Sequence, residues 1–137
     1  MLSIVKKPWN NQLDKKLPVW PSSDMNIAGE IAMLLDVRTY VCKPGTLKAH
    51  LDLYEAQGKA PQVRHLGMPL LYAACETGNP NEYIHIWCYK NAADREERRA
   101  GLWVDPEWLS YVKQSAALGA LESQQNKLMK PVDFFPL

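Results

Sequence analysis

The sequence predicts an α+β domain with a ferredoxin-like βαββαβ order, its antiparallel sheet covered by helices on one face. Three features carry this prediction. Alternating, apolar-rich stretches recur along the chain, most clearly Tyr83-Ile-His-Ile-Trp-Cys-Tyr-Lys90; side chains of a strand point to opposite faces in turn. Helical segments separate strand one from two and strand three from four, with caps, prolines and glycines at their ends. The connections are short, and right-handed crossovers then place the strands in the order 4-1-3-2.

Residues 1–32 differ from the rest. Pro8, Pro18 and Pro21 interrupt them, with Lys-Lys, Asn-Asn and Ser-Ser pairs between. They read as an N-terminal extension, mostly irregular, in which Trp9 and Trp20 offer docking points. A misplaced start is the alternative, since Met33 directly precedes the first strand.

Residues 33–137 then read as the domain. Leu34–Cys42 is a strand in which Leu35, Val37, Thr39 and Val41 alternate with Asp36, Arg38 and Tyr40. Lys43-Pro-Gly45 turns the chain, and Pro44 suits an early helical position. Leu47, Leu51 and Tyr54 recur at helical spacing; Gly58 is expected to end that helix, and a short turn over Pro61–Leu66 closes at Gly67. Met68–Thr77 reads as the second strand, Gly78-Asn-Pro-Asn81 as a hairpin turn, and Tyr83–Lys90 as the third strand. Asn91 caps a helix to about Leu102. Asp105-Pro-Glu107 opens another with a cap, a first-position proline and a first-turn acid, and Gly119 ends it. Glu122–Lys130 is the last strand, stopped by Pro131, and the apolar tail Phe134-Phe-Pro-Leu137 is expected to pack down on the body.

Faces follow from the alternation. Ile84, Ile86 and Cys88 are expected to meet the helices. Tyr83, His85, Trp87 and Tyr89, with Asp36, Arg38 and Tyr40, are expected on the bare face. So large an aromatic patch would not stay exposed. Closing it against a second copy gives a homodimer with a semi-polar interior, a dimeric α/β-barrel.

Composition narrows the classes. Net charge is +1, with 16 basic and 15 acidic residues, which argues against a nucleic-acid partner or a polybasic membrane patch. No apolar run approaches the ~20 residues of a membrane span. Cys42, Cys75 and Cys88 form no CxxC and read as buried reduced thiols of a cytoplasmic protein. There is no compact signal-peptide core, and no arginine precedes Arg38, as a mitochondrial presequence would need.

At these residues the chain resembles the NIPSNAP family. Leu35-Asp-Val-Arg-Thr-Tyr-Val-Cys-Lys-Pro-Gly45 is similar to its opening and Arg64-His-Leu-Gly67 to its middle motif. Ile84-His-Ile-Trp-Cys-Tyr89, Ala93-Asp-Arg-Glu-Glu-Arg-Arg-Ala100 and Asp105-Pro-Glu-Trp108 resemble its long signature. The resemblance runs from about Leu34 to Leu137 and leaves out the residues before Met33. It implies a dimeric α/β-barrel, in a superfamily that includes small monooxygenases, isomerases and stress-response barrels using the cavity. It implies no settled reaction; in animals the family name is linked to mitochondrial and vesicle-trafficking proteins. A shared fold licenses a cavity but not a catalytic role.

Candidate residues each have two readings. His85 is a proton shuttle or ligand donor, or else a satisfied core histidine. Arg38 binds a ligand oxyanion, or pairs with Asp36 or an acid of the partner. His65, beside the start of strand two, is a cavity-mouth residue or a structural cap. Tyr40, Tyr72, Trp87 and Tyr89 line a pocket or simply fill the barrel. His50, with Asp52 and Glu55 near it, reads as surface. Arg95, Arg98 and Arg99 form a solvated salt-bridged helix face, with an anion site at the cavity mouth as the sharper alternative. No metal site is expected, since His65 and His85 lack a third ligand in register. No cofactor is expected, since there is no Gly-rich phosphate loop and no GxSxG. The expected function is binding of a small, partly apolar molecule in the cavity of a homodimer, through Arg38, Tyr40, His65, Tyr72, His85, Trp87 and Tyr89. The alternatives are a cofactor-free monooxygenase- or isomerase-like enzyme with His85 as acid–base group, and a non-catalytic protein-interaction module.

Overall fold

A computed structural model describes residues 33–137; the expectations for residues 1–32 lie outside the described residues. The elements are β1 (Leu34–Cys42), α1 (Leu47–Leu53), α2 (Lys59–Leu66), β2 (Leu71–Ala74), β3 (Glu82–Tyr89), α3 (Ala92–Leu102), α4 (Pro106–Leu118) and β4 (Leu121–Met129). The sheet runs β2-β3-β1-β4, antiparallel at every pair, as the short crossovers require. Helices cover one face. This is the α+β, ferredoxin-like arrangement.

Local chemistry explains the helix ends. Asn91 Oδ1 accepts from the Asp94 amide at 2.9 Å, and Asp105 Oδ1 from the Glu107 amide at 2.9 Å. Each satisfies a donor that a helix N-terminus leaves unpaired. Gly119 takes φ 66°, a left-handed turn that ends α4 and starts β4.

Gly58 does not end the first helix. α1 passes through a π-helical turn, Tyr54–Gly58, straight into α2. Glycine serves close approach here: a Cβ would lie 2.8 Å from Tyr54 Cδ2 and 3.0 Å from the Tyr111 ring. Pro44 stays in the turn before the Thr46 cap instead of entering the helix. β2 is shorter than expected, only Leu71–Ala74, as suits an edge strand. The tail is also a correction. Phe134 and Phe135 are 78% and 74% exposed and do not pack down.

The face assignment reverses. Tyr83, His85, Trp87 and Tyr89 lie under the helices, each no more than 2% exposed, while Ile84, Ile86 and Cys88 are half-buried on the open face. Register puts Asp36 opposite Trp87, Arg38 opposite His85 and Tyr40 opposite Tyr83, so the polar residues of β1 also face the helices. The period of two was correct, but a period does not say which face is covered. The helices decide that by bringing matching bulk. Tyr54, Leu66, Leu102, Trp108 and Tyr111 pack with Leu34, Trp87 and Tyr89 in one cluster. The open face presents Leu35, Val37, Val41, Leu71, Ile84, Ile86 and Met129 instead. The aromatic patch is therefore covered within one chain, and it no longer argues for a dimer.

Candidate functional site

A cavity of about 460 Å³ lies between the sheet and the helices. Its floor is the covered sheet face: Arg38 and Tyr40 from β1, Tyr72 from β2, Tyr83 and His85 from β3. The helical layer supplies His50, Tyr54, Gln62, Arg99, Trp108 and Tyr111. Tyrosine faces make much of the wall. Tyr54 stacks on Tyr72 at 4.9 Å, Tyr72 on His85 at 4.8 Å, and Tyr40 meets His85 edge-on at 4.7 Å, spacings typical of favourable aromatic pairs. Burial pushes the Tyr54, Tyr72 and Tyr83 hydroxyls well up and raises that of Tyr111, so all four remain neutral phenols.

His85 has one defined partner. Trp87 Nε1–H donates to its Nδ1 at 2.7 Å. An indole N–H can only donate, so the neutral imidazole carries its proton on Nε2. Burial, and then the Arg38 charge, hold the His85 pKa down at about 3. The ring is neutral near pH 7, a hydrogen-bond donor through Nε2. That atom is buried without a partner among the described residues.

Four other buried polar atoms of the lining share that condition: Arg38 Nε, His50 Nδ1, Gln62 Oε1 and Trp108 Nε1. His50 is only 1% exposed, its Nε2 2.6 Å from the Tyr83 hydroxyl, and burial lowers its pKa. Its expected surface position is thus corrected. It lies three residues after half-buried Leu47 and four before buried Tyr54 of the π-helical turn, on one inward-facing helical stripe. An unpaired buried polar atom costs roughly 1–3 kcal/mol. Five such atoms around one space are what a cavity holding water or another polar guest presents.

The arginines divide. Arg38 Nη1 donates to the Tyr40 hydroxyl at 2.8 Å, and its Nε lies 3.2 Å from Asp36 Oδ2. That Nε makes no aligned hydrogen bond, so the Asp36 contact is Coulombic. Burial opposes the Arg38 charge, but Tyr40 and Asp36 outweigh it and raise its pKa. Arg95 Nε also reaches Asp36, at 3.0 Å, and Asn126 donates to it at 3.4 Å. Arg98 pairs with Asp94 at 2.8 Å. Arg99 lines the cavity with no ion pair among the described residues. The α3 arginines are thus not one solvated face.

The structure brings Arg38, Tyr40, Tyr72 and His85 together around the cavity. It does not bring Trp87, Tyr89 or His65 to the lining. Trp87 sits behind His85 and orients it. The Tyr89 hydroxyl is buried without a hydrogen-bond partner among the described residues. His65 Nε2 is 2.8 Å from Asp105 Oδ2, which Arg64 Nη1 also contacts at 2.9 Å. It braces α2 against the start of α4, and its hydrogen bond holds the Asp105 carboxyl below the usual range. Sequence reasoning missed Gln62, Trp108 and Tyr111 as lining. The spacing of Trp108 and Tyr111 on α4 marks a buried face, but nothing in it marks a cavity. No helix of the described residues is long and apolar enough to cross a membrane.

Comparison with known proteins agrees with this architecture. A NIPSNAP-family crystal structure from Agrobacterium tumefaciens, titled as of unknown function, superposes with a TM-score of 0.72. It is 41% identical, over 79% of this chain and 96% of that one. An uncharacterized NIPSNAP-like domain protein from Burkholderia xenovorans gives 0.72 at 31% identity, over 79% and 92%. A putative antibiotic biosynthesis monooxygenase from Nitrosomonas europaea shares the fold alone, with a TM-score of 0.54 and 11% identity over 76% and 94%. Protein NipSnap of Drosophila melanogaster is 35% identical over 104 residues; these are 75% of this chain but only 36% of that relative's length. Residues 35–136 match the NIPSNAP family, and the chain belongs to it.

Proposed function

We propose that the protein binds a small, partly apolar molecule in the cavity between sheet and helices, and works as a cytoplasmic homodimer. The observation that carries the binding role is the ring of buried atoms unpartnered among the described residues, Arg38 Nε, His50 Nδ1, Gln62 Oε1, His85 Nε2 and Trp108 Nε1, around a tyrosine-walled space. A filled core would pair or exclude such groups. The same geometry favours His85 as a donor over His85 as an acid–base group. Its Nε2 already holds a proton, and burial keeps the ring from taking a second.

The homodimer reading now rests on the other sheet face. Val37 and Ile86 are paired at its centre, flanked by Leu35, Ile84 and Leu71, with no helix of the described residues above them. Two such aliphatic faces are self-complementary about a twofold axis. The cytoplasmic reading is supported by three free cysteines, with burial raising the Cys42 pKa and lifting that of Cys88 to about 11.

Native mass spectrometry of the full-length protein from its own host tests both parts. The expected species is a dimer carrying small-molecule mass. A clean apo protein that no aromatic fragment stabilises against heat would overturn the binding role. A monomeric mass at micromolar concentration in sedimentation would overturn the dimer.

A further inference from the structure

The arginines narrow the ligand class. Among the described residues the lining holds two cations, Arg38 and Arg99, and no carboxylate. Asp36 is shared between Arg38 and Arg95, at 3.2 and 3.0 Å. Arg99, four residues after Arg95 on α3, makes no ion pair among the described residues, and Asp36 favours its charge only from a distance. Burial works against its charge, as do the like charges of Arg38 and Arg95, and together they lower its pKa. A guanidinium kept half-buried beside two others is an electrostatic position waiting for an anion.

The remaining polar atoms favour donation. Of the five unpartnered lining atoms, Arg38 Nε–H, His85 Nε2–H and Trp108 Nε1–H can only donate, as an oxyanion requires, while Gln62 Oε1 accepts. The stacked faces of Tyr54 and Tyr72 offer a planar apolar wall. No lysine of the described residues lines the space, and a phosphate dianion would lose two charges' worth of hydration there against a single arginine without an ion pair.

Resting on the binding role above, we propose that the ligand is an aromatic carboxylate. Its ring lies against the tyrosines, and its carboxylate is held by Arg99 with support from Arg38 and the His85 Nε2–H.

Calorimetry with a matched pair of probes tests this: 1-naphthoate against its neutral isostere 1-naphthamide, at fixed salt. The expected result is a preference for the carboxylate of about tenfold or more, the scale of one charge-assisted hydrogen bond. Arg99→Met should remove that preference by weakening 1-naphthoate at least tenfold more than 1-naphthamide, and Arg99→Lys should restore part of it. Equal binding of both probes to the unmodified protein would overturn the carboxylate assignment and leave the binding role standing. An Arg99→Met protein that loses both probes alike would assign Arg99 a structural part and overturn the proposal. Binding of neither probe would remove the inference and the binding role together.

Discussion

Trp87 and His85 lie two residues apart on β3, and the indole N–H of one ends 2.7 Å from Nδ1 of the other. Trp87 never reaches the cavity, yet it decides what His85 shows there. With Nδ1 occupied by a donor, the proton must sit on Nε2, the nitrogen that faces the open space.

Trp87→Phe should free that choice. The variant leaves buried Nδ1 unpaired, at a cost of roughly 1–3 kcal/mol, and lets both neutral tautomers form. Nitrogen-15 NMR of the imidazole should read a single Nε2–H form in the unmodified protein and a mixture in the variant. A mixture already present before substitution would refute the orienting role.

Stability should fall on acidification from a higher pH than carboxylates alone would give. His85 titrates at about 3 in the folded protein and near its ordinary ~6.5 when unfolded. Between those values the unfolded chain holds a proton that the native state does not. The contribution is complete above the unfolded pKa and drains away below it, at up to ~1.4 kcal/mol per pH unit. His50, lowered in the same direction, adds to the slope. Urea midpoints between pH 7.5 and 5 should show the loss, and His85→Gln should flatten it; an unchanged slope in that variant would count against the buried neutral histidine.

Gly58→Ala should destabilise even though alanine is the better helix former. The propensity gain is at most ~1 kcal/mol. Against it stands a Cβ at 2.8 Å from Tyr54 and 3.0 Å from Tyr111, overpacking that costs about 1–3 kcal/mol. Both tyrosines line the cavity, so probe affinity should fall with the urea midpoint. A more stable variant would show that the π-helical turn has room to spare.

Ile86→Lys should yield a monomer that keeps its fold and cavity. Ile86 sits opposite Val37 on the open sheet face, and a cation there forbids close apposition of two copies. Sedimentation should give half the mass, with the near-ultraviolet circular dichroism of the buried tyrosines retained. A dimer of undiminished affinity would place the interface elsewhere.

Most of the architecture was already written in the chain. Alternation located β1 and β3, Asn91 and Asp105-Pro106 marked the starts of α3 and α4, and short connections forced the strand order. These are local rules: a cap needs one side chain and a few amides, and a strand needs only its period. Arg38, Tyr40, Tyr72 and His85 were legible as neighbours because alternation and strand pairing put them on one face.

What only the tertiary structure decided is which face the helices cover. Tyr83, His85, Trp87 and Tyr89 carry polar tips, and their sequence gives no hint that His50, Tyr54 and Tyr111 arrive above them. His65 and Asp105 are 40 residues apart, and Arg95 meets Asp36 across 59; no spacing rule joins such pairs. Periodicity fixes side chains relative to their own strand. Burial, partners and charge balance belong to the space between elements, and that space exists only once they pack.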